Sequence, residues 1–140
     1  MGYASTSGLD ELLSDFGAIA EIPDSVILDM LVAEAEIVAP AQAAEARAMG
    51  VFDTGKTADS ITYDRALKVK DSDKSISVYP KGIRSDGNRR SVAEVAFVNE
   101  FGTSSQPARP FINTANEKSA DAAVEAASAV YDKFLNSKNL

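Results

Sequence analysis

Ala66-Leu67-Lys68-Val69-Lys70-Asp71-Ser72-Asp73-Lys74-Ser75-Ile76-Ser77-Val78-Tyr79 decides the fold, because apolar and polar residues alternate on both sides of a polar interruption. Alternation with a period of two places one face of a strand against a core and the other in water, so residues 66–70 and 75–79 read as a β-hairpin turning over residues 71–74. Tyr79-Pro80 ends it. Upstream the period changes to that of a helix. Asp24 reads as an N-cap, and Val26, Ile27, Met30, Leu31, Ala33, Ile37 and Val38 form a broad apolar stripe. The helix reads on to a stop at Gly50, about 39 Å long if Pro40 does not divide it. Ahead of it, Leu9, Leu12, Leu13 and Phe16 at helical spacing predict a short amphipathic helix within an acidic segment, residues 1–23.

Downstream, residues 81–90 are rich in Gly and charge and predict an exposed mobile loop that orders on meeting a partner. Ser91-Val92-Ala93-Glu94 fits a capping box, predicting a short helix from residue 92 to about 101 with Gly102 after it; a strand is the rival reading. The two prolines of Gln106-Pro107-Ala108-Arg109-Pro110-Phe111 favour an extended arm. From about Thr114 to about Asn136 the stripe Ala115, Ser119, Ala122, Ala126, Val130 and Phe134 predicts a C-terminal helix. Together these describe one α+β domain over residues 1–140, a small antiparallel sheet flanked by a long helix in the N-terminal half and a C-terminal helix.

Composition narrows the chemistry. The chain has neither cysteine nor histidine, which removes disulfides, thiolate nucleophiles, the commonest zinc ligands and every Ser-His or Cys-His catalytic pair. No cofactor is expected. No basic and apolar leader opens the chain and no apolar run is long enough to span a bilayer, so synthesis in the cytoplasm is expected, with no membrane contact. The net charge of −7 is unevenly placed: residues 1–46 carry nine acids and no Lys or Arg, whereas residues 47–111 carry eleven bases against eight acids. Such asymmetry suits contacts between copies, acidic face against basic face.

Two stretches imitate catalytic motifs. Gly50-Val51-Phe52-Asp53-Thr54-Gly55-Lys56-Thr57 fits the phosphate-binding pattern G-x-x-x-x-G-K-[ST]. That pattern works where a buried strand ends in a loop of amides, but Ala44-Glu45-Ala46-Arg47-Ala48-Met49 is a helix former, and Asp53 would place a carboxylate among the phosphates. Asp53-Thr54-Gly55 also matches the aspartic-protease triplet, which needs apolar strands to raise a carboxylate pKa; Lys56-Thr57-Ala58-Asp59 is polar and brings a cation instead. The preferred reading of Asp53, Thr54 and Gly55 is a structural turn.

Asp53-Thr54-Gly55-Lys56 with Ser60-Ile61, then a hairpin, then Val95-Ala96-Phe97-Val98-Asn99-Glu100-Phe101-Gly102-Thr103, then Pro107-Ala108-Arg109-Pro110-Phe111-Ile112 and a terminal helix, resembles the tail-completion family of tailed bacteriophages, including the minor tail protein Z group. The resemblance covers residues 40 to 135 and implies a small sheet flanked by helices, with no catalytic residues. It implies a virion protein at the head–tail junction, assembled in the host cytoplasm as a homo-oligomeric ring, such as a hexamer, that meets other neck, connector and tail proteins. A tail terminator is the alternative within the structural class, and a nucleotide hydrolase the alternative outside it. Within that picture Arg109, Pro110 and Phe111 are expected at a subunit or partner interface, Phe101 in the core, and Gly102 in a structural turn. Arg109 is expected to form a salt bridge or carbonyl contact with a neighbouring copy. Lys81, Arg84, Arg89 and Arg90 are expected to face a partner, whether another subunit, another ring or DNA in the channel.

Overall fold

The computed structural model describes residues 22–51, 56–82 and 91–138. The predicted helix forms as α1, Asp24–Ala48, and runs unbroken through Pro40. Pro40 is tolerated because it lies on the exposed face, where the Glu36 carbonyl that loses its partner meets water. Pro23, in extended conformation, takes the N-cap place expected of Asp24, which is the first helical residue. At the other end Val51 donates its amide to Ala46 O (2.8 Å) and Gly50 to Arg47 O (3.2 Å), with Gly50 at φ 70°. This is the Schellman arrangement, which requires a left-handed residue where glycine stands and seats the following apolar residue on the last turn. Val51 and Ala46 accordingly share one core cluster.

After the short helix α2, Lys56–Asp59, the chain enters a single long hairpin built of two ladders. β1 (Ile61–Tyr63) pairs antiparallel with β4 (Val78–Pro80), and β2 (Lys68–Lys70) with β3 (Asp73–Ser75). The turn is shorter than the sequence suggests. Asp73 and Lys74 join β3, leaving Asp71-Ser72 as a two-residue turn with Asp71 at φ 56°, a conformation its short polar side chain tolerates. β1 was not signalled by alternation, and β2 and β3 are exposed throughout, because the tip of the hairpin projects past the body of the domain. Between the ladders residues 64–67 stand opposite residues 76–77, a bulge that shifts the register. Asp64 fastens this point: its carboxylate accepts from Tyr79 Oη (3.1 Å) and pairs with Lys68 Nζ (3.0 Å).

α3 (Val92–Phe101) follows, and then α4 (Phe111–Ser137), which packs along α1. Their seam is made mostly of small residues, Ala35, Ala39 and Ala46 from α1 against Ala115, Ser119, Ala123 and Ala127 from α4, with Gln42 the one long side chain buried there. Without bulky side chains the two backbones approach closely, and Gln42 Nε2 bridges to Asn116 Oδ1 (3.0 Å). The inward stripe of α4 differs from the predicted one beyond Ser119, since Ala123 and Ala127 are buried while Ala122 is exposed. A strict four-residue spacing is the i±4 ridge that interdigitates with a neighbouring helix, and the partner decides that choice. The large apolar residues of α1 remain only half-buried, and Ile37 reaches 36% exposure. The architecture is α+β, with α1 against the β1–β4 ladder and α4 packed along α1.

The hydrogen bond and charge of Lys68 hold the Asp64 carboxyl below its ordinary pKa, and the same carboxylate raises that of Tyr79. A depressed carboxyl contributes stability above its unfolded pKa and loses it as pH falls through the folded value. Asp64→Asn is therefore expected to lower the thermal midpoint at neutral pH, and the gap to the parent should close as pH drops below about 4. A gap that does not narrow at all between neutral pH and about pH 2 would contradict this assignment.

Candidate functional site

Ser91 begins α3 as the capping pattern predicts, its Oγ accepting the Glu94 amide at 3.2 Å, so the rival strand does not form. Val92, Ala96 and Asn99 face inward. That choice of face turns Phe97 and Phe101 out to solvent, 64% and 67% exposed, with ring centroids 4.8 Å apart and planes tilted by 50°. Phe101 was expected in the core and is not there. The i, i+4 spacing stacks the two rings on one side of a ten-residue helix whose opposite side already fills the available core.

Beside the rings lies an open groove of about 580 Å³. Val78, Tyr79 and Pro80 form one wall, Ala93, Phe97 and Phe101 another, and Pro110 and Ile112 close one end. The polar groups nearest its floor are committed elsewhere. Glu100 Oε2 accepts the Ile112 amide (2.8 Å) and Oε1 the Asn113 amide (2.9 Å), so one carboxylate caps the second and third residues of α4. Negative charge is favourable there because the amides at a helix N-terminus carry partial positive charge.

The residues that carried the family resemblance make this end of α4 into one knot. Asn99 is buried; its Nδ2 donates to Val95 O (2.8 Å), its Oδ1 accepts from Gln106 Nε2 (3.1 Å), and its carbonyl accepts the Arg109 amide (2.6 Å). Gly102 has φ 74°, and a Cβ there would stand 2.8 Å from Ala108 N and 2.9 Å from Gln106 O, so only glycine lets the arm fold back. The expected turn at Gly102 is thus present. The stretch through Pro110 stays outside the helices as its prolines predict, but α4 begins at Phe111, earlier than Thr114.

The other interface candidates separate. Arg109 donates from Nη1 to Gly50 O (2.8 Å), a carbonyl contact made within its own chain at the C-terminal end of α1. Phe111 is fully buried in the cluster with Ala46, Val51, Ala58 and Ala96, so it supplies core rather than surface, because the Pro110 turn points it beneath α3. Pro110 is exposed and lines the groove. Lys81, the residue after Pro80, is exposed and donates its amide to Ser60 O (3.0 Å). Arg84, Arg89 and Arg90, and the turn residues Asp53, Thr54 and Gly55, lie outside the described residues. Of the phosphate-loop match, Gly50 closes a helix instead of following a strand, and Thr57 is buried with its hydroxyl unpartnered among the described residues.

No group of three or more His, Cys, Asp or Glu able to hold a metal occurs among the described residues, and none of their helices is long and apolar enough to cross a membrane. The Phe97–Phe101 pair is what residue-by-residue reading missed. Its signal was present: α3 is apolar on nearly every side, and a short helix of that kind in a small domain cannot bury all of its faces.

Glu100→Ala removes two acceptors from the start of α4 and is expected to cost about 1 kcal/mol, read as a lower thermal midpoint. Glu100→Gln, which keeps an acceptor, should lose less; equal stability of all three proteins would remove the capping role. No protein-family model, curated protein or solved structure matches the chain.

Proposed function

We propose that this chain is a non-enzymatic structural protein of a tailed-phage virion, a tail-completion component that forms a ring joining tail to head. The observation that carries the reading is the exposed, stacked Phe97–Phe101 pair over an open apolar groove. Large aromatic rings left in water beside an apolar groove mark a surface that becomes covered on association. The knot that presents this surface is assembled from Asn99, Glu100, Gly102 and Arg109, the same ordered residues that resemble the tail-completion family.

Charge supports the same reading. The acidic first third of the chain and the more basic middle offer complementary faces for a head-to-tail contact, and contacts of that kind close into rings when the rotation between subunits allows. Other neck and tail proteins are the remaining partners in this reading, and Lys81 stands at the edge of the segment that would face them or the DNA of the channel.

Light scattering after size exclusion is expected to give the mass of a ring, either for the protein alone or once neck or tail proteins are added. Magnesium nucleotide is expected to give no heat of binding in calorimetry, with the protein and Lys56→Ala indistinguishable. A monomer that ignores every neck and tail protein but binds nucleotide through Lys56 would overturn the proposal.

A further inference from the structure

The groove lies between a strand edge and a helix, and the backbone bonds show which edge it is. Asp64 donates its amide to Ser77 O and Lys81 donates its own to Ser60 O, both at 3.0 Å, with Tyr79 between them opposite Thr62. Ser77, Tyr79 and Lys81 therefore turn their backbone groups toward β1. The alternation of an antiparallel strand turns those of Val78, Pro80 and Gly82 to the other edge. At Gly82 that outer edge is closed onto α3, its carbonyl accepting the Val92 amide at 3.0 Å. Away from this bond the groove of about 580 Å³ opens between β4 and α3.

Among the described residues β1 is the one strand neighbour of β4. The outer edge of β4 thus offers the N–H of Val78 and the carbonyls of Val78 and Pro80. Pro80 has its nitrogen on that edge, where a strand tolerates proline because no ladder bond is lost. A strand edge beside an apolar cleft is the setting for strand addition, in which backbone bonds hold the incoming segment and its side chains fill the cleft.

The chain carries a strand that fits. β2 has β3 as its one strand neighbour among the described residues and is exposed throughout. The two-residue turn makes Lys70 and Asp73 a bonded pair, so Lys68 and Lys70 face β3 and Val69 directs its N–H and carbonyl outward. The Val69 side chain is 59% exposed. Charge is complementary as well: residues 65–70 hold Arg65, Lys68 and Lys70 and no acid, whereas α3 holds Glu94 and Glu100 and no base. β2 of the same chain is excluded, because it pairs with β3, which runs on into β4, and so lies on the β1 side of the hairpin.

We propose that β2 of a second copy adds to the outer edge of β4, pairing Val69 with Val78 beside Phe97 and Phe101 and bringing its basic run against the acidic α3. The contact is head-to-tail: the donor's own β4 stays open to a third copy, so the series continues until it closes. This inference deepens the proposed function and rests on it in treating Phe97 and Phe101 as an association surface.

The chain has no cysteine, so introduced thiols report unambiguously. One protein carries Val69→Cys; a second carries Ala93→Cys on the exposed groove wall, and a control carries Val124→Cys on an exposed part of α4 outside the groove. They are mixed at millimolar concentration, with neck and tail proteins added where the ring requires them. A short bifunctional maleimide is expected to link Val69→Cys to Ala93→Cys at least ~10-fold faster than to Val124→Cys, because docking raises the effective concentration of the first pair. Excess native protein should suppress that link. Excess Val69→Pro should not, since it lacks the outward N–H and the valine side chain while Lys68 and Lys70 keep their bonds to β3. Circular dichroism and the thermal midpoint check that Val69→Pro is folded. Equal rates at the two positions overturn the proposal, and so does equal suppression by native and Val69→Pro protein. A ring mass found together with equal rates removes this inference and leaves the neck-protein reading standing; preferential linking with no ring in any mixture does the reverse.

Discussion

The carboxylate of Glu100, shared between the amides of Ile112 and Asn113, is the contact on which the arrangement turns. It joins the end of α3 to the beginning of α4, two helices that the Gly102 turn would otherwise leave free to separate. Once they are joined, Phe111 drops into the core beneath α3 and α4 is aimed along α1, with Arg109 pinning the same corner to the last carbonyl of the α1 stop at Gly50. The inward face of α3 is then fixed as Val92, Ala96 and Asn99, and Phe97 and Phe101 have nowhere to go but outward. A side chain that reads as an ordinary surface acid thus determines which aromatics are core and which are surface.

The core that results is small in volume. Of the eleven buried hydrophobic residues among those described, eight are alanine, standing where Leu and Ile usually stand, and Phe111, Val51 and Val92 are the larger ones. Alanine seams bring helices close but remove little apolar area per residue, so the energy gained by burial is modest. The bulky apolar groups of α1 meanwhile stay half-exposed, and Phe97 and Phe101 of α3 more so. A domain built this way holds its shape through backbone proximity and caps, and has apolar surface still to bury when it meets a partner. Under the proposed reading, assembly buries that surface and adds to the stability of the subunit.

Local signals made much of this legible in the sequence. The length of α1, the Ser91 cap, the stops at Gly50 and Gly102, the hairpin and the terminal helix each follow from residues within one or two turns of the feature. What was not legible depended on partners distant in sequence. β1 has no alternation of its own and forms because β4 pairs with it. The burial stripe of α4 drifts to Ala123 and Ala127 because α1 lies against that ridge. The reversal of Phe101 and Phe111 came from the same source: both are Phe beside Gly or Pro, and only the Glu100 cap, which spans twelve residues, decides which one turns inward. Arg109 was expected to form a salt bridge or carbonyl contact with a neighbouring copy; the contact seen is to Gly50 O of its own chain, fifty-nine residues away in sequence.

The central claim is that Phe97 and Phe101 serve association and not the stability of the fold. Phe97→Ser with Phe101→Ser tests it in one protein, by measuring the free energy of unfolding and the assembled mass in the presence of neck and tail partners. The account predicts a change in unfolding free energy below about 1 kcal/mol, as for exposed positions, together with loss of the assembled species. A loss of several kcal/mol would contradict it by making the rings part of the core, and unchanged assembly would contradict it by placing the contact surface elsewhere.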